Sequence, residues 1–193
     1  METIKAIMTR RSNRRFIDEP IDKKRIETIV ECGRQAPCGS NSQSVHFIII
    51  TKKEVLDDLA KIAEEAFSKM EVHEDTYVSL KNSILASKKG GYVFHYGAPV
   101  LIVTANKKGY GNAMADSACA LENMMIASNA SGLGSCYINQ LHWLCEDESL
   151  VSYMEDIGLK KDEYITGALA LGRVETLLQK EKQITGNPVT WVE

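Results

Sequence analysis

The sequence has no excess of charge of either sign and no long apolar run. Its 193 residues carry 23 Lys and Arg against 26 Asp and Glu, a formal net charge of −3. Such a field attracts neither nucleic acid nor an anionic membrane, so we expect neither as a partner. The longest apolar stretch, residues 98–103, is far shorter than the ~20 residues that span a bilayer, and no targeting segment opens the chain. We therefore expect a cytoplasmic protein.

Signals for metals, disulfides and nucleotide loops are also missing. The five cysteines contain no C-x-x-C pair, and the four histidines have no metal-ligand spacing. An odd number of scattered cysteines is typical of reduced thiols, so we predict no bound metal and no disulfide framework. Gly132-x-Gly134 follows a predicted helix and lacks the third glycine of a dinucleotide-binding loop, and no P-loop is present.

The chain reads as one domain in which helices alternate with about four strands. Hydrophobic periodicity and capping residues predict helices at 3–9, 22–36, 53–67, 111–130 and 147–157, and strands at 45–51, 100–105, 135–138 and 164–171. Few tight hairpin signals join the strands, which favours an α+β or mixed α/β sandwich. Residues 70–92 are the least regular part, with a mobile helical lid as one interpretation.

The long helix at 111–130 carries several small residues that we expect to face inward. They are Ala113, Ala115, Ala118, Ala120 and Ala127. Small side chains on a helix face allow another backbone to approach closely.

Four arginines lie in six residues near the N-terminus, in a chain that is otherwise mildly acidic. At the end of a helix, Arg10 and Arg14 share one face, Arg11 and Arg15 the next, and the Ser12 hydroxyl can also bind an oxyanion. The cluster predicts a phosphate site. A solvated basic patch or a nonspecific polyanion contact is the alternative that the cluster alone leaves open.

A loop of small and amide residues, Cys38–Ser44, follows the second helix. Asn41 and Gln43 each offer a donor and an acceptor, which suits the edge of a heterocycle with alternating carbonyl and N–H groups, although a simple turn uses the same residues. Cys38 and Cys136 lie beside candidate loops. Such a cysteine is more commonly a buried free thiol than a nucleophile.

The C-terminal tail is basic and then apolar. Lys180 and Lys182 precede Val189, Trp191 and Val192, a group too small to form a core of its own. A partner subunit would supply the missing surface.

Taken in order, these blocks resemble the nitroreductase family of flavin mononucleotide (FMN) enzymes. The blocks are R-R-S-x-R at 10–14, a helix ending A-P, Asn41-x-Gln43 leading into H-F, a small-residue helix ending G-L-G-S-C-x-I, and A-L-G before a basic tail. The resemblance runs from about residue 4 to residue 182. It implies an α+β three-layer sandwich, with a central, mostly antiparallel sheet flanked by helices.

The resemblance also implies a homodimer with two FMN sites at the subunit interface. Residues 1–193 form one domain, of which 174–193 is an extension that wraps the partner subunit. By position, the segment that holds the phosphate and ribityl chain corresponds to Arg10, Arg11 and Ser12. The cation beside flavin N1 and O2 corresponds to Arg14, and the amide loop on the pyrimidine edge corresponds to Asn41 and Gln43. The stretch whose backbone approaches flavin N5 from the other subunit corresponds to Tyr137, Ile138, Asn139 and Gln140. The cations that close over the phosphate correspond to Lys180 and Lys182 and, with weaker support, to Arg173.

The resemblance predicts an FMN-dependent oxidoreductase that takes hydride from NADH or NADPH and reduces a small nitroaromatic or quinone-like acceptor by a ping-pong mechanism. No catalytic side chain is predicted, because the flavin carries the chemistry at N5. The alternatives are a specialised dehalogenase, a flavin-fragmenting enzyme or a heterocycle oxidase of the same fold, a flavin-binding protein without turnover, and a basic-patch interaction module. Ser44-Val45 replaces the family's usual Pro-Trp, and Asn139-Gln140 stands where a pair such as Glu-Gly is usual, so the acceptor stays open.

Overall fold

The computed structural model describes residues 1–193 and contains seven helices and four strands. The helices are α1 (Thr3–Thr9), α2 (Lys23–Arg34), α3 (Lys53–Ser68), α4 (Val78–Lys89), α5 (Ala113–Ala130), α6 (Gln140–Trp143) and α7 (Glu148–Asp156). The strands are β1 (His46–Ile50), β2 (Val100–Lys107), β3 (Gly134–Ile138) and β4 (Glu163–Gly172). Each helix and strand predicted from the sequence has its counterpart. The short α6 was not predicted, and α4 lies within residues 70–92, for which a helical lid was one interpretation.

The four strands form one antiparallel sheet in the order β1-β2-β4-β3. Successive residues of β2 point to opposite faces, so Leu101 and Val103 enter the larger hydrophobic core while Val100 and Ile102 enter the smaller one. Residues of α3, α4 and α7 complete the larger core, and residues of α2 and α5 complete the smaller. Helices therefore cover both faces of the sheet, which confirms the α+β three-layer sandwich.

Local side-chain bonds fix the start of two of these helices. The Asp22 carboxylate accepts the Lys24 N–H at 2.8 Å and so caps α2, and the Asp147 carboxylate accepts the Leu150 N–H at 3.0 Å and caps α7. Within the irregular segment 70–92, α4 packs on α3 and buries Ile84. Its mobility stays a prediction.

Helix α5 buries a different face from the one that was expected. Its inward residues include Asp116, Ser117, Leu121 and Met124 beside the expected Ala113 and Ala120. Ala115 and Ala118 are exposed, so their predicted inward position is wrong, and Ala127 is only half-buried. The reason is that α5 is apolar on most of its circumference, and its outer face has no cover within a single chain. No helix combines the length and the hydropathy needed to cross a membrane.

Candidate functional site

Residues 10–16, which we call the arm, lie along the first residues of β3. Ser12 forms a parallel bridge to Ser135, and the Asn13 N–H donates to the Ser135 carbonyl at 2.8 Å. This approach requires the glycine at position 134, because a Cβ there would lie 3.0 Å from Asn13 Cβ and 2.6 Å from Val174 Cγ1. The G-L-G sequence thus fixes the arginine cluster to the edge strand of the sheet.

Arg14 and Ser12 of the arm surround the thiol of Cys136, the residue after Ser135. Burial raises the pKa of Cys136, while hydrogen bonds and charge from Arg14 and Ser12 oppose that rise without cancelling it. The thiol is therefore protonated at neutral pH, as expected of a structural cysteine rather than a nucleophile. Partial burial lowers the pKa of Arg14, but Cys136 and Tyr96 outweigh it and the net shift is upward. Arg14 stays charged, with its guanidinium carbon 5.7 Å from the centre of the Tyr96 ring.

One nitrogen atom of the Arg11 side chain indicates a site for an anion. Its Nη2 is buried and has no hydrogen-bond partner, whereas its Nη1 donates to the Arg10 carbonyl. An unpaired buried guanidinium nitrogen is costly, and an oxyanion is the partner that would satisfy it. The arm therefore fits a phosphate group.

The first part of the C-terminal extension, 174–193, returns to the arm of its own chain. The Leu178 N–H donates to Asn13 Oδ1 at 3.0 Å, Gln179 forms an antiparallel bridge with Arg10, and the Gln179 amide donates to Asn129 Oδ1 at 2.9 Å. Lys180 and Lys182 follow Gln179 closely and are exposed. Their role in closing over a phosphate stays a prediction.

The remaining tail and Arg173 are less integrated with the arm. Trp191 is 83% exposed, and Val189 and Val192 are also exposed, so nothing in the single chain covers the apolar end. Arg173 directs its Nη1 toward Glu19 Oε2 at 3.5 Å. The structure therefore does not bring its side chain to the arginine cluster.

The amide loop, which we define as residues 39–43, has an unusual backbone. Ser40, Asn41 and Gln43 have φ of 51°, 53° and 47°, the left-handed region that favours glycine. The Gln43 amide donates to Asn41 Oδ1 at 3.2 Å, and both side chains line a cavity of about 350 Å³. Strained backbone of this kind is concentrated at ligand-binding sites.

Two residues that sequence reasoning missed hold this loop. Asp116 accepts the Gly39 N–H at 3.0 Å and the Tyr110 hydroxyl at 2.9 Å. Asp116 and Tyr110 are both distant in sequence from the loop. The available signal was weak: one acidic residue in the first turn of a mostly apolar helix.

The stretch 137–140 runs from the end of β3 to the start of α6 and is anchored from α4 and the segment after it. The Gln140 side chain accepts the Asn139 N–H at 3.1 Å and donates to the Tyr92 hydroxyl at 3.1 Å. The Tyr92 hydroxyl lies 2.8 Å from Ser83 Oγ on α4. Burial raises the pKa of Tyr92 and of Tyr137, so both phenols are protonated at neutral pH. Ile138 is buried in the core, whereas Tyr137 is partly exposed.

The single chain brings the arm, the stretch 137–140 and the start of the tail together, but not the amide loop. A cavity of about 690 Å³ beside Ser12 and Arg14 and the cavity beside Asn41 share no residue. Arg10 contacts Glu122 of α5 while the loop contacts Asp116 of the same helix. These two α5 residues are separated by about 9 Å of helix rise. In the single chain the arm and the amide loop are therefore two separate groups of candidate residues, which we call half-sites.

Comparisons with known proteins find related sequences and related folds. A model of the nitroreductase family matches residues 7–173. The chain is 31% identical to a nitroreductase with bound FMN from Bacteroides fragilis, with a TM-score of 0.87 and 100% of both chains covered. A nitroreductase with bound FMN from Desulfitobacterium hafniense shares the fold at 22% identity and a TM-score of 0.82, again over 100% of both chains. FMN reductase (NADPH) of Bacillus subtilis is 27% identical over 139 residues, which are 70% of this chain and 53% of that protein.

Proposed function

The chain belongs to the nitroreductase family, and from that premise we propose that it is an FMN-dependent oxidoreductase that takes a hydride from NADH or NADPH and reduces a small nitroaromatic or quinone-like acceptor. We further propose a ping-pong mechanism, in which the acceptor enters after the oxidised nicotinamide nucleotide has left. The observation that carries the proposal is the buried, unpaired Nη2 of Arg11 on an arm that also offers Arg10 and Ser12. This set of donors suits a phosphate monoester.

The arm and the tail would hold FMN by its phosphate, and Arg14 would lie beside its ring. Two-electron transfer between the nicotinamide nucleotide and the acceptor is the chemistry that FMN supplies when bound. Arg14 contributes a fixed positive charge, because its pKa is raised and it carries no negatively charged partner among the ion pairs of the structure. A cation beside the ring favours the reduced flavin, whose ring carries negative charge. We propose no catalytic side chain, because FMN would supply the two-electron chemistry; the raised pKa values of Cys136 and Tyr137 argue against either group as a base or nucleophile.

A complete site requires two copies of the chain. The arm and the stretch 137–140 belong to one half-site and the amide loop to the other, so we propose that the amide loop of one protomer completes the site formed by the arm of its partner. This assignment differs from the expectation that the stretch 137–140 comes from the other subunit, because Tyr137 directly follows Cys136, which contacts the arm. Exposed apolar side chains support a homodimer: Ile4, Ile7 and Met8 of α1, Met114 of α5 and Trp191 of the tail.

The composition of the purified protein and its kinetics test the enzymatic proposal. We expect a yellow protein that releases FMN, and not FAD, on denaturation. Initial rates measured at several fixed concentrations of a quinone or a nitroaromatic should give parallel double-reciprocal lines against NADH or NADPH. Intersecting lines would contradict the ping-pong mechanism, and bound flavin without any NADH or NADPH consumption would identify a binding protein instead. A colourless protein that does not bind added FMN would contradict the proposal as a whole.

Two truncations test the role of the tail. Deletion after Leu178 removes Lys180, Lys182 and Trp191, so both dimer stability and FMN occupancy should fall. Deletion after Pro188 keeps both lysines and removes Trp191, and should weaken the dimer more than it weakens phosphate binding. Light scattering and flavin absorbance measure the two properties. If the shorter chain remains a fully yellow dimer, the tail serves neither purpose.

A further inference from the structure

We propose that Asp116, together with Tyr110, is a positioning residue that holds the amide loop in the shape that binds the flavin ring. The inference rests on the proposed function and extends it to two residues outside the loop. Neither residue touches the phosphate half-site, since Arg10 contacts α5 at Glu122 and not at Asp116.

The Asp116 carboxylate is buried and depends on the loop for its hydrogen bonds. It is 4% exposed in the first turn of α5. Its Oδ1 accepts the Gly39 N–H at 3.0 Å, and its Oδ2 accepts the Tyr110 hydroxyl at 2.9 Å and lies 3.4 Å from Ser42 Oγ. No ion pair of the structure includes Asp116. A buried carboxylate without a cation persists only where several donors converge on it.

Tyr110 reinforces the same contacts from the segment before α5. Its hydroxyl lies 3.2 Å from Ser42 Oγ and 3.3 Å from the Gly39 carbonyl, besides its shorter contact with Asp116. A phenol has one proton to donate, and the shortest contact assigns it to the carboxylate. Asp116 and Tyr110 therefore hold the loop at Gly39 and again at Ser42, on either side of Asn41.

The loop held at those two points is strained, which is why it needs such support. Ser40, Asn41 and Gln43 all have positive φ, which costs free energy for residues with a Cβ, less for Asn than for the other two. Without the bonds to Asp116, the backbone would relax toward ordinary φ values and the amides of Asn41 and Gln43 would leave their shared cavity. A rigid loop binds a ligand without the entropic cost of ordering its side chains. Asp116 thus affects the half-site proposed for the flavin ring and not the half-site proposed for the phosphate.

Flavin titrations of full-length variants test this inference. FMN and riboflavin share the ring and differ by the phosphate, so quenching of flavin fluorescence is measured with each ligand on protein stripped of its flavin. We expect Asp116→Ala to weaken FMN and riboflavin by the same factor, on the order of tenfold or more, the loss of one or two hydrogen bonds to a charged group. Asp116→Asn keeps one carbonyl for the Gly39 N–H and should lie between Asp116→Ala and the unaltered protein.

The matched control is Asp147→Ala. Asp147 also accepts a backbone N–H at 3.0 Å, from Leu150, but it caps α7 and does not contact the loop. This variant should lose folding stability while keeping both flavin affinities. Should Asp116→Ala fail to fold, Tyr110→Phe removes one hydroxyl from the same contacts and must show the same equal loss for both flavins.

The outcomes separate this inference from the proposed function. If the unaltered protein binds neither flavin, the proposed function fails and the inference fails with it. The inference alone is overturned if the unaltered protein binds FMN and Asp116→Ala binds both flavins as tightly as the unaltered protein does. Tyr110→Phe decides in the same way if Asp116→Ala does not fold. A loss confined to FMN would place the effect at the phosphate, and an equal loss in Asp147→Ala would show that stability and not positioning sets the affinity. Either result overturns the inference.

Discussion

Replacement of Arg10 by alanine tests the phosphate half-site in isolation from the ring. The Arg10 side chain is 26% exposed, and its Nε lies 3.5 Å from Glu122 Oε1. The substitution removes a charged donor from the proposed phosphate site. It also leaves the Glu122 carboxylate without its partner, so that an uncompensated negative charge faces the dianionic ligand.

The size of the effect follows from these two changes. A hydrogen bond between charged groups contributes about 1.5 to 3 kcal/mol, so Arg10→Ala should weaken FMN binding by roughly ten- to 150-fold. Repulsion from Glu122 moves the expected loss toward the upper end. The double variant Arg10→Ala with Glu122→Gln removes that repulsion and should recover part of the affinity, as a double-mutant cycle measures directly.

Fluorescence titrations with FMN and riboflavin provide the assay. Riboflavin has no phosphate, so its affinity should be unchanged by Arg10→Ala. The control is Lys23→Ala, since Lys23 is also ion-paired, with Glu27 at 3.7 Å, but on the exposed surface of α2. Equal losses for FMN and riboflavin, or an FMN affinity equal to that of the unaltered protein, would refute the assignment of Arg10 to the phosphate.

Three other substitutions probe the ring, the core and the response to acid. Arg14→Ala removes the cation proposed to lie beside the flavin ring and should lower the reduction potential of bound FMN while much of the binding remains; an unchanged potential in a dye-equilibration titration would contradict that placement of Arg14. Leu59→Ala, at a fully buried position of α3, should lower the free energy of unfolding in urea by about 2–5 kcal/mol, and a loss below about 1 kcal/mol would contradict a tightly packed core. Burial lowers the pKa of His95 in the folded protein below its ordinary value of about 6.5. Folding therefore favours the neutral imidazole, and the protein loses this contribution to stability as the pH falls below about 6.5. Between pH 7 and pH 5 the unaltered protein should therefore lose more stability in urea than His95→Asn, and equal losses would exclude this role of His95.

The fold was predictable because its signals are local. The Asp22 cap and the periodic apolar residues predicted α2, and the apolar stretch at 98–103 predicted the strand β2. The exposed positions of Ala115 and Ala118 were not predictable. When a helix is apolar on most of its circumference, its sequence does not tell which face meets its own sheet and which is left for another surface.

The site was predictable only where its residues are contiguous in sequence. The arm and the amide loop stand out as short motifs, and the structure attaches the arm to β3 and gives the loop its left-handed backbone. Asp116 reaches the loop across 77 positions, and Tyr96 meets Arg14 across the fold. Such contacts depend on how the layers pack, which no local pattern encodes. The separation of the two half-sites is likewise a property of the packed chain.

The central claim is that this chain uses bound FMN to carry electrons from NADH or NADPH to a small acceptor. Its most direct test is the absorbance of the purified yellow protein under anaerobic conditions, first after addition of one equivalent of NADH or NADPH and then of a quinone. We expect the flavin absorbance to bleach with the nucleotide and to return with the quinone. Flavin absorbance that neither NADH nor NADPH changes, or a protein that holds no FMN to bleach, would contradict the account.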